Sequence, residues 1–220
     1  MHNHSAIIVD GSFGGRFSVS RRPWMLLVIA TVLLVGAATR AVGGPITTVP
    51  TSLSPGDPYR LAFVTSTTRD GTSNDIGVYN AFVDALGDTV IASDWRAIAS
   101  TLAVDARVNT GTLPVFAGGS SGVPVFLLND TKLADDNDDL WSGGGIDTPL
   151  QFNELGDLVT TLTVWTGTAQ FGNVASQFGT DRGLGAVTDF AATGQIASKN
   201  PQWINFPPAL ITTALSEKRP

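Results

Sequence analysis

Residues 59 to 87 read YRLAFVTSTTRDGTSNDIGVYNAFVDALG, and this stretch carries the two most regular patterns of the chain. From residue 59 to 66, Leu61 and Phe63 alternate with Ala62 and Val64, which is the period of a β-strand. From residue 73 to 86, apolar side chains recur at intervals of three and four, which predicts a helix that Thr72 or Ser73 caps and Gly87 ends. A strand followed by a helix favours a mixed α and β domain.

Further apolar runs follow this stretch at wide spacing. Residues 123 to 128 (VPVFLL) and 159 to 166 (VTTLTVWT) predict short strands, whereas residues 95 to 101 fit either a strand or a helix. Long stretches rich in Gly, Asn and Asp separate them and predict long loops. We therefore predict an α+β domain with few helices, short antiparallel strands and long loops.

An export signal precedes the domain. Arg21 and Arg22 stand before the apolar run MLLVIATVLLV of residues 25 to 35, and small residues continue to Ala41. This pattern predicts a signal peptide over residues 1 to 41, cleaved after Ala41 or after Ala37. An uncleaved membrane anchor is the alternative, but residues 24 to 38 are fewer than the roughly 20 that a span needs. A start codon placed too early would also explain the long segment ahead of Arg21.

The leader sets the predicted location and the domain boundaries. We expect a secreted or cell-envelope protein with no stable membrane span after leader cleavage. Residues 42 to 58 are predicted as an extended lead-in, residues 59 to 206 as one domain, and residues 207 to 220 as a C-terminal tail.

Charge and composition exclude several classes of function. The leader holds four of the 13 basic residues and one of the 19 acidic residues, so the remainder has 9 basic and 18 acidic residues and a net charge of -9. Such a surface repels phosphate backbones, and we expect no nucleic-acid partner. The chain has no cysteine, and its two histidines, His2 and His4, precede the export signal. The exported domain therefore lacks the imidazole and thiol that nucleophilic triads and most zinc sites use.

An ordered series of motifs spans residues 59 to 206. It runs YRLAFVTSTTRDG, DWRAIAST, VPVFLLNDTKLADDNDDLWSG, TVWTGT and NPQWINF. The series resembles a secreted bacterial domain of unknown function, related to the C-type-lectin-like and endostatin-like fold and found in envelope proteins with a Pro-Glu-Pro sorting tail. The chain departs from that pattern because it has no disulfide, no Glu-Pro-Asn sugar motif and no sorting tail.

The resemblance implies a lectin-like fold and a non-catalytic role. On this basis we expect a binding or structural module at the cell surface or in the extracellular matrix. Its partner would be an extracellular polysaccharide or an envelope protein. Trp141, which lies between an acidic run and the glycines of residues 143 to 145, is the tryptophan that we expect to be partly exposed and to contact a ligand.

The acidic run of residues 135 to 139 (DDNDD) is the candidate metal site. Closely spaced oxygen ligands suit calcium, and we name Asp130, Asp135, Asn137 and Asp139 as the candidate ligands. The spacing is not that of an EF-hand, since Leu140 stands where the turn glycine belongs. The alternative interpretation is a solvated acidic loop.

A carboxylate-based glycan hydrolase is the alternative function. Glu154 lies between Phe152 and Leu155, where burial would raise its pKa as a general acid requires, and Asp147 is its candidate partner. Surface or capping roles are more usual for such residues, and we expect the protein not to be an enzyme.

Overall fold

The computed structural model describes residues 44 to 160, 163 to 186 and 190 to 206, together with the backbone of residues 6 to 11. Its largest sheet has five strands in the order β3-β1-β2-β4-β5. All neighbouring pairs are antiparallel except β2 and β4, which are parallel. Its strands are β1 (Ala6–Gly11), β2 (Tyr59–Val64), β3 (Trp95–Ala97), β4 (Val125–Leu127) and β5 (Lys132–Ala134).

Two small antiparallel sheets carry the later part of the chain. In the first, β6 pairs with β9, and in the second, β7 pairs with β8. The strands are β6 (Thr163–Trp165), β7 (Ser176–Gln177), β8 (Thr180–Asp181) and β9 (Thr193–Gln195). Long loops connect them, as the glycine-rich composition predicts.

Strand β2 is buried along its whole length because it separates two hydrophobic cores. Leu61 and Phe63 face the core that contains Tyr79 and Val83 of the helix Ile76–Gly87 (α1), which we call the α1-side core. Ala62 and Val64 face the opposite core, which we call the loop-side core. The strand predicted from the alternation is therefore confirmed. Because both faces of the strand are covered, the odd-numbered and the even-numbered residues are both apolar and buried.

The helices are few and mostly short. α1 spans Ile76–Gly87, α2 spans Ala106–Asn109, α3 spans Asn137–Leu140, and two 3-10 helices span Val115–Ala117 and Pro201–Trp203. Asp75 is the N-cap of α1 and accepts a hydrogen bond from the backbone N–H of Gly77 at 2.9 Å, so the prediction of Thr72 or Ser73 as the cap is wrong. The Ser73 hydroxyl instead accepts a hydrogen bond from the N–H of Asp75 at 3.1 Å, in the turn ahead of the helix.

The lead-in is bonded to the domain. The backbone N–H of Gly44 donates to the carbonyl of Gly156 at 3.0 Å, and the Tyr59 hydroxyl donates to the carbonyl of Thr48 at 2.7 Å. The folded unit therefore begins at or before Gly44.

The described part of the chain is thus an α+β arrangement with few helices and short, mostly antiparallel strands. No helix in that part is long and apolar enough to cross a membrane. The apolar run of residues 25 to 35 lies outside the described residues. Strand β1, however, belongs to the segment that is predicted to be removed on export.

Candidate functional site

The acidic run forms the start of a short helix and of the turn before it. Asp136 is the N-cap of α3 and accepts a hydrogen bond from the N–H of Asp139 at 2.8 Å. Asp139 in turn accepts from the N–H of Asp135 at 2.9 Å, and Asp138 accepts from the N–H of Val115 at 2.9 Å. These carboxylates satisfy backbone donors at two helix N-termini, a role that neither the calcium nor the solvated-loop interpretation anticipated.

The four predicted calcium ligands do not meet at one point. Asp130 lies in the turn before β5 and accepts hydrogen bonds from the backbone and the hydroxyl of Thr51. Asp135 follows β5 at its other end, so the whole strand lies between these two carboxylates. Asn137 is buried, and its side-chain N–H donates to the carbonyl of Ser120 at 3.0 Å. Its side chain is therefore directed toward the loop before β4.

A different set of carboxylates does come together. One oxygen each from Asp135, Asp139 and Asp147 lies within 4.8 Å of the others. The ammonium of Lys132 is hydrogen-bonded to Asp135 and lies 3.6 Å from a carboxylate oxygen of Asp147. The hydrogen bond to Asp135 raises the pKa of Lys132, and Asp147 adds to the effect. A cation at this place would therefore compete with a resident ammonium group.

Removal of Lys132 tests whether the carboxylates bind metal. In Lys132→Met the competing ammonium is gone, so we expect a larger rise in melting temperature with calcium than the wild type shows. Calcium at about 100 times its dissociation constant stabilises a folded protein by roughly 2.7 kcal/mol. Thermal melts with calcium, magnesium and EDTA measure the effect. Equal small shifts with both ions in both proteins would rule out a specific calcium site, since screening alone acts without selectivity.

Trp141 is not exposed, and the expectation of partial exposure is wrong. Its side chain is 0% exposed and its indole N–H donates to the Thr112 hydroxyl at 2.9 Å. The ring lies 6.0 Å from that of Trp203, between centroids. Gly172 has φ +79°, and a Cβ there would be 2.7 Å from the indole, so the glycine lets the loop close over Trp141. In this arrangement the indole has no exposed face that a ligand could contact. The predicted ligand contact of Trp141 is therefore no longer supported.

Glu154 is buried rather than at the surface, as the hydrolase alternative requires, but its carboxylate is already engaged. It is 2% exposed, and its two oxygens accept hydrogen bonds from the backbone N–H of Ser66, at 2.9 Å, and from the Ser66 hydroxyl. Ser66 follows β2, so this carboxylate joins the end of the central strand to a distant loop. Asp147, its candidate partner, pairs with Lys132 instead. The geometry assigns Glu154 a structural role.

A small cleft opens between α1 and the end of β3. It is too small for more than about one water molecule, and Tyr79, Phe82 and Trp165 are among its lining residues. The Arg69 guanidinium, which also lines the cleft, lies 5.6 Å from the Tyr79 ring centre and 5.9 Å from that of Phe82. Burial raises the pKa of Tyr79 to about 12, which keeps its hydroxyl neutral and bonded to Ser73. The cleft thus contains a cation of the protein itself, stacked on two of its aromatic rings.

The exposed aromatic rings of the described chain are phenylalanines, whereas the residue pattern pointed to a tryptophan, Trp141. Phe116 is 57% exposed and Phe171 is 43% exposed, and their ring centres lie 6.4 Å apart in an edge-to-face arrangement. Val115, beside them, is 56% exposed. We call these three residues the phenylalanine patch. The only sequence signal for it was an apolar Val-Phe pair between Pro114 and a glycine run.

Hydrogen bonds to Asp138 of the acidic run and to Arg107 fix the backbone of the phenylalanine patch. Asp138 accepts from the N–H of Val115, which fixes the 3-10 helix that carries Phe116. Arg107 donates to the carbonyl of Phe171 at 3.2 Å. The patch is thus built on anchored backbone rather than on a free loop.

A third exposed aromatic ring stands at the tip of the β7–β8 hairpin. Phe178 is 96% exposed and has φ 52°, and Gly179 beside it has φ 74°. Two successive positive φ values define a tight hairpin turn in which asparagine and glycine are favoured. Phenylalanine at this position costs conformational energy and leaves an apolar ring in water.

Compared with known proteins, the chain matches no family model, no curated protein and no solved structure. The class that the fold and the surface define is an α+β domain with few short helices and an anchored apolar patch.

Proposed function

We propose that this protein is a secreted, non-catalytic binding module of lectin-like type at the cell surface. Export rests on the predicted signal peptide of residues 1 to 41. The lectin-like assignment rests on the motif series of residues 59 to 206. A non-catalytic role is favoured because both oxygens of Glu154, the best candidate acid, are engaged with Ser66.

The proposed binding role rests on the phenylalanine patch. Two exposed phenylalanine rings and an exposed valine on anchored backbone form an apolar surface of the kind that marks interaction sites. Phenylalanine has no polar group to pair with sugar hydroxyls, so the chemistry favours an apolar surface of an envelope protein over a polysaccharide. Asp138 and Arg107 beside the patch add polar groups at its border.

The proposal predicts that loss of the patch releases the protein from cells. In the double variant Phe116→Ser and Phe171→Ser we expect the cell-bound fraction to fall about tenfold or more, because buried aromatic anchors each contribute more than about 1 kcal/mol to binding. Full-length protein is expressed with its leader in a bacterium, and its amount on washed cells and in the medium is measured.

Leu158→Ser is the matched control, since Leu158 is 58% exposed but lies on a different loop. It should leave the cell-bound fraction unchanged. Equal retention of the double variant and the wild type would contradict the binding role of the patch. N-terminal sequencing of the same samples tests export, with a terminus at Val42 or Ala38 expected.

A further inference from the structure

Segments at both ends of the helix α3 contact the phenylalanine patch. At its start, Asp138 accepts the hydrogen bond from the N–H of Val115, which precedes Phe116. Beyond its end, Gly143 lies against Phe171, since a Cβ at this glycine would be 2.6 Å from the ring. The patch therefore has the acidic run along one border. The inference from this border rests on the proposed function, because it takes the patch as the binding surface.

The carboxylates of this border have no cation as a partner. The Cα atoms of Asp136 and Asp139 lie within about 8 Å of that of Asp138, since consecutive Cα atoms are about 3.8 Å apart. In the described part of the chain, no ion pair joins these three carboxylates to a lysine or an arginine. Their hydrogen-bond donors are backbone N–H groups, which carry no net charge. Their negative charge therefore acts on the patch from within about one screening length at physiological salt.

The cations that contact this region are paired with other carboxylates. Arg107, at the border of the patch, lies 3.3 Å from Asp105. Lys132 is hydrogen-bonded to Asp135 and lies 3.6 Å from Asp147. Neither cation is thus left to balance the carboxylates of α3. The surroundings of the patch are therefore net negative, and they attract cationic groups of a partner.

The exposed rings favour the same kind of partner. The planes of Phe116 and Phe171 are inclined by 80°, so the two rings offer faces in different directions. An aromatic face attracts ammonium and guanidinium groups and also packs against apolar side chains. A segment that carries both kinds of side chain can therefore contact the rings and the acidic border at once.

We propose that the phenylalanine patch binds a segment of another protein in which apolar side chains stand next to lysine or arginine. The apolar side chains pack on the two rings, and the cations face the carboxylates of α3. An equally apolar segment that carries aspartate or glutamate is repelled by the same border. The charge of the border thus selects the partner, whereas the rings provide the apolar contact.

Two synthetic peptides test this selection. Both contain the same leucines, and the remaining positions are all lysine in one peptide and all glutamate in the other. Their dissociation constants with the exported protein are measured by fluorescence anisotropy at low and at high salt. We expect the lysine peptide to bind at least about tenfold more tightly at low salt. The difference should shrink at high salt, because screening shortens the range of the charges.

Charge variants locate the effect at the border. Asp135→Asn with Asp147→Asn removes two exposed charges and leaves Lys132 unbalanced, so we expect the lysine peptide to bind about fivefold more weakly. Lys132→Met changes the border in the opposite direction and should strengthen binding of this peptide. Asp57→Asn with Asp94→Asn is the matched control, because it makes the same change in net charge at exposed positions before β2 and before β3. It should leave the affinity nearly unchanged.

The outcomes separate charge selection from the binding role of the patch. If Phe116→Ser with Phe171→Ser leaves binding of the lysine peptide unchanged, the patch is not the binding surface and the proposed function fails as well. Loss of binding in that variant, together with equal affinity of the wild type for both peptides, would overturn charge selection alone. Equal weakening by the two aspartate pairs would also overturn it, since net charge would then explain the preference. Failure of both peptides to bind would count against the proposed partner, while the cell-bound fraction still tests the proposed function.

Discussion

Replacement of Trp141 by alanine is expected to lower the free energy of unfolding by about 3 to 5 kcal/mol. The side chain is fully buried, and its loss removes the contact with Trp203 and leaves the Thr112 hydroxyl without its indole donor. The loop at Gly172 closes over the ring from outside, so the cavity has little freedom to collapse. For a domain of this size the melting temperature should fall by roughly 10 °C, as measured by circular dichroism or calorimetry.

Two control variants test whether the loss of stability in Trp141→Ala comes from the burial of the ring. Trp141→Phe keeps much of the ring volume and should cost clearly less than alanine. Phe178→Ala removes a ring that is 96% exposed and should leave the melting temperature almost unchanged. A Trp141→Ala protein as stable as the wild type would mean that the indole is not packed in the core, and the ligand-binding interpretation would then regain its basis.

The second large effect is expected at Glu154. Glu154→Ala removes two hydrogen bonds to a charged acceptor and leaves the N–H and hydroxyl of Ser66 without that partner. Hydrogen bonds to charged groups contribute about 1.5 to 3 kcal/mol each, so we expect a loss of about 3 kcal/mol in the free energy of unfolding. Urea denaturation of the wild type and the variant measures this difference.

Ser66→Ala and the double variant complete a thermodynamic cycle. If the two side chains stabilise the fold through each other, the double variant loses less than the sum of the single losses. A general acid would behave differently. Release of reducing ends from a polysaccharide by the wild type, and its loss in Glu154→Gln with unchanged stability, would contradict the structural role and favour the hydrolase.

Regular local patterns were read correctly from the sequence. The strand at residues 59 to 64 and the helix α1 follow from side-chain periodicity, which depends only on near neighbours along the chain. The end of α1 at Gly87 was predicted for the same reason. The run at residues 159 to 166 was predicted as a short strand, and the structure has strand β6 within it, over Thr163–Trp165.

The hydrogen-bond partners of the acidic run could not be predicted from neighbouring residues alone. Five polar residues in sequence suggested either ligands of one cation or a solvated loop, and neither interpretation gave the side chains separate structural partners. In the fold Asp138 reaches a backbone N–H of a separate 3-10 helix, whereas Asn137 is buried against another loop. Which backbone donors lie nearby depends on segments more than ten residues away, and no local pattern contains that information.

The sequence by itself determined which chemical groups the chain offers: it is acidic, has no cysteine, and has both of its histidines ahead of the apolar run of residues 25 to 35. It also predicted one strand and one helix from clear periodicity. Tertiary structure alone decided which aromatic rings are buried. Trp141 lies inside because loops distant in sequence close over it, while Phe116 and Phe171 remain at the surface. The physical reason is that burial is a property of contacts between distant segments, whereas periodicity is a property of one segment.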